Sequence, residues 1–220
     1  MIIVIGGIKG GSGKTTVATN LAVIRSGEGK DVLLIDADDQ ETSSDFTTLR
    51  NEILEEGAGY TNIKLTGASV RTETLRLKDK YQDIIIDTGG RDTASQRAAL
   101  TVADILLVPF VPRSFDVWTI EKVSHLVTEM KTANPVLKAC MFINRADPRG
   151  QDNEDAADVL KETEDLSFLD TPLGSRKAFS NAAAGGLGVT ELKPQDAKAT
   201  EEIMKLYGYV FDIQAISKKY

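Results

Sequence analysis

Hydrophobic positions along the chain gather into five short, nearly unbroken runs: IIVI at 2–5, DVLLID at 31–36, DIIID at 83–87, DILLVPF at 104–110 and KACMFIN at 138–144. Runs of this length without strict alternation belong to strands buried on both faces. Between them, apolar residues recur at helical spacing. The first such stretch follows the glycine-rich segment after residue 5 and runs to Gly27 or Gly29, with Val17, Leu21 and Ile24 on its inner face. Others fit 42–56, 92–103, 115–132, 152–164 and 196–211, several of them stopped by glycine or proline. Strands alternating with helices predict an α/β fold: a mostly parallel central sheet, right-handed crossovers, and helices on both faces. Neither a repeat nor a low-complexity segment nor a long linker interrupts residues 1–220, so a single domain is expected.

Composition narrows the setting. With 41% hydrophobic and 27% charged residues, the chain reads as globular. No apolar run approaches the roughly 20 residues that span a bilayer, and MIIVIGGI lacks the features of a secretory signal, so a cytoplasmic location is expected. The lone Cys140 reads as a small buried hydrophobe and the lone His125 as a structural residue in a helix. The net charge of −7 is local: residues 151–170 hold eight acids and one lysine, and the remainder balances at 25 bases and 25 acids. A basic face therefore remains available for nucleic acid.

The chemistry begins at IKGGSGKTT, residues 8–16. Gly13, Lys14 and Thr15 satisfy the end of the phosphate-loop expression, while Ile8 replaces its first glycine. The context supplies what the strict pattern lacks, because the loop follows a strand and opens a helix. Glycines 10, 11 and 13 let backbone N–H groups close on phosphate oxygens, and the helix N-terminus adds about half a positive charge. Lys14 is expected to bridge β and γ phosphates and Thr15 to ligate magnesium. Acids follow at strand ends, where such folds place their chemistry: Asp36 and Asp38 in DADDQ, and Asp87 at the end of DIIID, after three isoleucines, as a Walker B acid.

KGGSGKTT, LLIDADDQ and IIIDTGGRD, in this order, resemble the ParA/MinD family of deviant Walker A P-loop ATPases, and the small ParA-type partition proteins most of all. The likeness extends to about residue 207, because PLGSRKAFSNAAAGGLGVTEL is similar to the family's C-terminal part. It implies that Lys9, five residues before Lys14, reaches across a dimer to the partner's phosphates, so that ATP is sandwiched and hydrolysis is slow and dimerisation-dependent. By the same resemblance Lys9, Lys14 and Asp38 are the catalytic set, with Asp38 acting on the water. Gly10, Gly11, Ser12, Gly13, Lys14, Thr15, Thr16, Asn144 and Pro172 contact the nucleotide. Thr15, Asp36 and Asp87 organise magnesium. The family usually has proline after the second acid of DADDQ, where this chain has Asp39. TGGRD, 88–92, is implied to be the second switch. NRAD, 144–147, is also similar to the guanine reader of GTPases, with arginine for lysine, which leaves GTP open beside ATP.

The implied task is DNA partition or positioning: an ATP-bound homodimer on non-specific DNA, nucleoid-associated, released when a ParB-like or adaptor protein stimulates hydrolysis. Candidate DNA contacts are Arg71, Arg76, Lys78 and Lys80, and Arg145, Arg149, Arg176 and Lys177. A strand beginning at residue 2 leaves no room for the helix-turn-helix extension of larger ParA proteins. A MinD-like membrane cycle is the alternative, resting on Ile203, Leu206, Tyr207, Val210 and Ile213 along one side of the C-terminal helix and on Lys218 and Lys219. Packing of that side against the sheet is the favoured use. A conjugative-transfer accessory ATPase of the same family is a third reading. An iron–sulfur electron carrier is excluded, since its cluster needs two cysteines per subunit.

Overall fold

In the computed structural model, residues 1–112, 117–147 and 152–216 are described, with side chains except those of 117–118 and 212–216. The five apolar runs form β1 (Ile2–Ile5), β2 (Val32–Ala37), β4 (Asp83–Thr88), β5 (Ile105–Phe110) and β6 (Lys138–Ala146), and almost every residue in them is buried. Three further strands complete the sheet: β3 (Thr61–Lys64), β7 (Ser167–Phe168) and β8 (Leu173–Gly174). The order is β3-β2-β4-β1-β5-β6-β7, with β8 also pairing with β6, and every pairing is parallel. Helices α1 (Lys14–Gly27), α2 (Thr42–Ile53), α3 (Ser69–Leu77), α4 (Ala94–Leu100), α5 (Val117–Ala133) and α6 (Asp152–Lys161) make the crossovers, and α7 (Lys177–Ala184) and α8 (Ala197–Ile216) follow the last strand.

Two cores follow from strands that bury both faces. On one side Val4, Leu33, Ile35, Ile84 and Leu106 pack against α4, α5 and α6; on the other Ile3, Ile5, Leu34, Ile85 and Phe142 pack against α1, α7 and α8. The apolar side of α8 is spent here: Ile203, Leu206 and Val210 are fully buried and Tyr207 nearly so. Lys218, Lys219 and the side chain of Ile213 lie outside the described residues.

Several expected boundaries shift. The 42–56 helix stops at Ile53, because Leu54 turns extended, and the 152–164 helix ends at Lys161. The 92–103 helix shrinks to Ala94–Leu100, since Thr93 caps it by accepting the Gln96 N–H. Of the 115–132 helix, residues 115–116 lie outside the description. His125 lies within α5, as the helical pattern implied, on its exposed face and 3.7 Å from a Glu129 oxygen. Cys140 is buried as expected, and burial pushes its thiol up to about 11.

Strand β1 sits between β4 and β5, so its C-terminal end opens at the centre of the sheet. Register places Asp87 beside Ile5 on one side and beside Asp36 on the other. The acids of the second and fourth strands are thus brought to the loop that leaves the first.

Candidate phosphate-loop site

Residues 6–13 carry the chain from β1 into α1. Gly11 and Gly13 take left-handed backbone, φ 72° and 90°, and an added Cβ at Gly13 would lie 2.3 Å from Asn144 Nδ2. Asn144, from the end of β6, donates that Nδ2 to the Ser12 carbonyl at 2.6 Å. A side chain five strands further along the chain therefore pins the loop's last turn. Cβ atoms added at Gly10 and Gly11 would meet nothing within 4 Å, so the loop's outer face is open.

Lys14 is only 5% exposed and donates to the Lys9 carbonyl at 3.0 Å. Burial lowers its pKa, opposed by the charges of Asp87 and Asp38. Asp87 is 1% exposed, and neither carboxylate oxygen has a hydrogen-bond partner. Desolvation pushes it up to about 7, reinforced by neighbouring Asp36 and Asp38; the Thr15 side chain and Lys14 moderate the shift, Thr15 without meeting hydrogen-bond geometry. A buried carboxylate without partners next to a hydroxyl and an ammonium suits a hard divalent cation that keeps its waters and takes further oxygens from phosphate. Among the described residues no cluster of three or more His, Cys, Asp or Glu offers an all-protein metal cage.

Asp36 holds two backbone N–H groups. Its Oδ2 accepts the Ser44 N–H at 2.8 Å and its Oδ1 the Asp38 N–H at 3.2 Å. It thereby fastens the Asp38 loop and the first turn of α2. Asp38 accepts the Gln40 N–H at 3.2 Å and lies against Gly89, where an added Cβ would come 3.1 Å from Oδ1. Gly90 is tighter still. A Cβ there would meet Gly10 Cα at 2.5 Å, Gly10 N at 2.6 Å and Lys9 C at 3.0 Å, so the TGGRD segment rests directly on the loop backbone.

One contact was not read from the sequence. Gln96, wholly buried near the start of α4, accepts the Gly7 N–H at 2.9 Å on Oε1, which lies 3.0 Å from the Thr88 hydroxyl. It joins the helix after TGGRD to the root of the loop. Its available signal was a polar residue three and four positions before inward-facing Ala99 and Leu100.

Two hollows meet at the loop. A cleft of about 630 Å³ is lined by Gly10, Gly11, Lys14, Thr15, Asp38 and Gly89, among others. A groove of about 650 Å³ shares Gly13, Thr16 and Arg145 with it and continues past Asn144, Leu173, Ser175 and Phe179. Pro172 lines a separate hollow with Asn153 and Glu202, joined to the groove through Gly174, Ser175 and Arg176 but not reaching the loop. Lys9 is exposed on the loop's outer side. Of the basic candidates, Arg71, Arg76, Lys78 and Lys80 are exposed on and after α3, and Lys177 is exposed at the start of α7. Arg176 is engaged by Glu202, 2.8 Å from Nε, and Arg149 lies outside the described residues.

A second polar assembly braces the groove from behind. Arg50 of α2, 5% exposed, donates to the carbonyls of Ala58 and Gly186 and to both oxygens of Glu191 at 2.7 and 2.8 Å. Asn20 of α1 donates to the Thr16 carbonyl and accepts the Val189 N–H. The GGLGVTEL segment is thus tied to both helices that follow the loop and the Asp38 turn.

The sequence matches the CobQ/CobB/MinD/ParA nucleotide binding domain over residues 3–189. It is 30% identical over 196 residues to maintenance of carboxysome distribution protein A of Gloeobacter kilaueensis, covering 88% of this chain and 85% of that one. The protein of the same name from Halothiobacillus neapolitanus is 24% identical over 210 residues, 94% and 95% of the two chains. The fold is similar to that of a plasmid partition protein from Borrelia burgdorferi B31 bound to AMPPNP, with TM-score 0.75, 20% identity, and 96% and 98% of the chains covered.

Proposed function

The chain belongs to the CobQ/CobB/MinD/ParA nucleotide-binding domain family, and from that premise we propose that it is a single-domain ATPase that works as a positioning switch. Bound to ATP it pairs with a second copy, and the dimer associates with DNA irrespective of sequence. Hydrolysis stimulated by a ParB-like or adaptor partner releases it from the nucleoid to the cytoplasm. The observation that carries this reading is the convergence on one cleft of the Gly10–Thr15 loop, Lys14, Asp38 and Gly89, with the unpartnered Asp87 beneath.

In this reading the backbone N–H groups of residues 10–16, Ser12 and Thr16 included, hold phosphate oxygens at the start of α1. Lys14 exchanges the Lys9 carbonyl for phosphate, and the incoming negative charge restores the ammonium that burial disfavours. Thr15, and Asp87 through water, hold magnesium, which when bound neutralises charge on the phosphates. Asp38 orients the attacking water. Asp36 helps organise the metal site and keeps Asp38 in place through the backbone bonds described. Adenine lies in the groove beside Asn144, while Pro172 bounds the adjoining hollow. Lys9 serves the second subunit, so its charge arrives only on pairing.

The carboxysome-distribution relatives and the plasmid-partition neighbour support a positioning task. The burial of the α8 apolar face in the core supports DNA over a membrane as the partner surface. Size exclusion with light scattering tests the reading on wild type, Lys9→Ala, Lys14→Ala and Asp38→Ala, with ATP, ADP and GTP, with and without duplex DNA at two salt concentrations. ATP alone should produce a wild-type dimer that retains DNA at low salt. Lys14→Ala should lose nucleotide, Lys9→Ala should keep nucleotide but stay monomeric, and Asp38→Ala should trap the dimer. A wild type that stays monomeric with ATP, or an ATP dimer of Lys9→Ala, overturns the sandwich.

A further inference from the structure

Arg145 and Glu41 are the non-glycine residues with left-handed backbone among those described, each at φ 54°. Such a conformation is disfavoured for an arginine, so its surroundings must impose it. The Arg145 N–H donates at 3.0 Å to Asn144 Oδ1, while the other end of that amide is fixed on the Ser12 carbonyl. The β6–β8 ladder also slips here: Asn144 pairs with Leu173 and Ala146 with Gly174, which leaves Arg145 as the extra residue of a bulge. Bulges beside functional sites turn a side chain out of the strand's alternation. Here the turn places Arg145 on the wall of the cleft, of the groove, and of a third, smaller hollow between the loop and the residues Val108, Phe110 and Val123 of β5 and α5. Unlike Arg25, Arg50, Arg97 and Arg176, it has no carboxylate partner among the described residues, and it is exposed.

We propose that Arg145 binds the phosphates that ATP and ADP have in common, as a second cation of the same subunit beside Lys14; this inference rests on the nucleotide reading above. Arg145 shares Gly13 and Thr16 with both cleft and groove, whereas Asp38 and Gly89 line the cleft alone. It therefore stands where the phosphates nearest the nucleoside pass from one hollow to the other. A guanidinium meets two phosphate oxygens at once, which a single ammonium does not. The same placement argues against Arg145 as a DNA contact, the use suggested by its charge alone.

Calorimetric titration of ATP and of ADP, with thermal melting of the nucleotide-free protein, tests this on wild type, Arg145→Gly and Arg145→Lys. Arg145→Gly should weaken both nucleotides about tenfold and to the same extent. Its melting temperature should hold or rise, because glycine adopts the left-handed backbone without penalty. Arg145→Lys should recover part of the affinity. Affinities of Arg145→Gly within twofold of wild type overturn the assignment. A loss for ATP alone does so too, since the contact would then be to the terminal phosphate, and a fall in melting temperature would mark the guanidinium as a packing element instead. A wild type that binds neither nucleotide overturns the nucleotide reading itself, an outcome distinct from a wild type that binds and a variant that binds equally.

Discussion

Gly90→Ala is a sharp test of how the TGGRD segment is coupled to the loop. The backbone at Gly90 is not in the left-handed region, so alanine brings no conformational penalty of that kind, and the effect isolates one contact. The new methyl carbon would stand 2.5 Å from Gly10 Cα and 2.6 Å from Gly10 N. Ordinary contact begins near 3.4 Å, so the two segments must part by most of an ångström. No rotamer can absorb this, because the obstacle is backbone. Overpacking of this kind costs about 1–3 kcal/mol, which for a chain of this length lowers Tm by roughly 2–12 °C. Displacement of Lys9 and Gly10 should also weaken ATP binding by about 10- to 100-fold. Gly10→Ala is the control for stability, since its added Cβ meets nothing within 4 Å. Differential scanning calorimetry of the nucleotide-free proteins and ATP titration supply both readouts. Should Gly90→Ala melt with the wild type and bind ATP within twofold of it, the proposed coupling through this contact is wrong.

Other outcomes follow from the polar assemblies. Glu191→Ala leaves Arg50 buried without its carboxylate and should cost about 3 kcal/mol, read as a shift of the urea midpoint; a cost below about 1 kcal/mol would show that the carbonyls of Ala58 and Gly186 suffice. Gln96→Leu should spare the fold but leave the Gly7 N–H unpaired and the Thr88 hydroxyl with the Ile5 carbonyl as its remaining acceptor, lowering kcat more than it raises KM for ATP; equal kinetics would refute a link to the loop. In metal- and nucleotide-free protein, Asp87 has a folded-state pKa near 7 against an unfolded value near 3.8. Its contribution is therefore complete below about pH 4 and is lost as pH rises through 7, on the order of 4 kcal/mol. Asp87→Asn should flatten that slope in a pH series of denaturant melts, and an unchanged slope would place the titrating group elsewhere.

The five apolar runs became β1, β2, β4, β5 and β6 because strands covered on both faces leave a continuous signature. β3 is a partly exposed edge strand, TNIK, and α3 buries only Val70 and Thr74, so neither shows a period that stands out from a loop. α7, KAFSNAAA, leads into paired glycines and reads as part of that glycine-rich segment, and β7 and β8 are two residues each, defined by their pairing with β6. That the glycine-rich loop and Asp87 lie together at strand ends was legible because glycine, lysine and acid types concentrate there. The backbone N–H groups that Asp36 fastens were not: a carboxylate at a strand end does not say in sequence which donors it accepts from. Gln96 and Gly90 touch segments about 80 to 90 residues away, and Arg145 lines one cleft with residues up to about 135 away; such neighbours exist only once the sheet order is known.

The central place of β1 also bears on how the chain is made. Ile2 pairs with Ile84 and Ile3 with Ile105, so neither flanking strand exists when β1 emerges. At about 5–20 residues per second, ribosomal synthesis leaves this fully apolar strand without its first neighbour for roughly 4–16 seconds. During that interval IIVI is an unpaired β segment that a chaperone or another nascent chain can capture. Slower translation upstream of residue 84 would lengthen that exposure, and faster translation would shorten it.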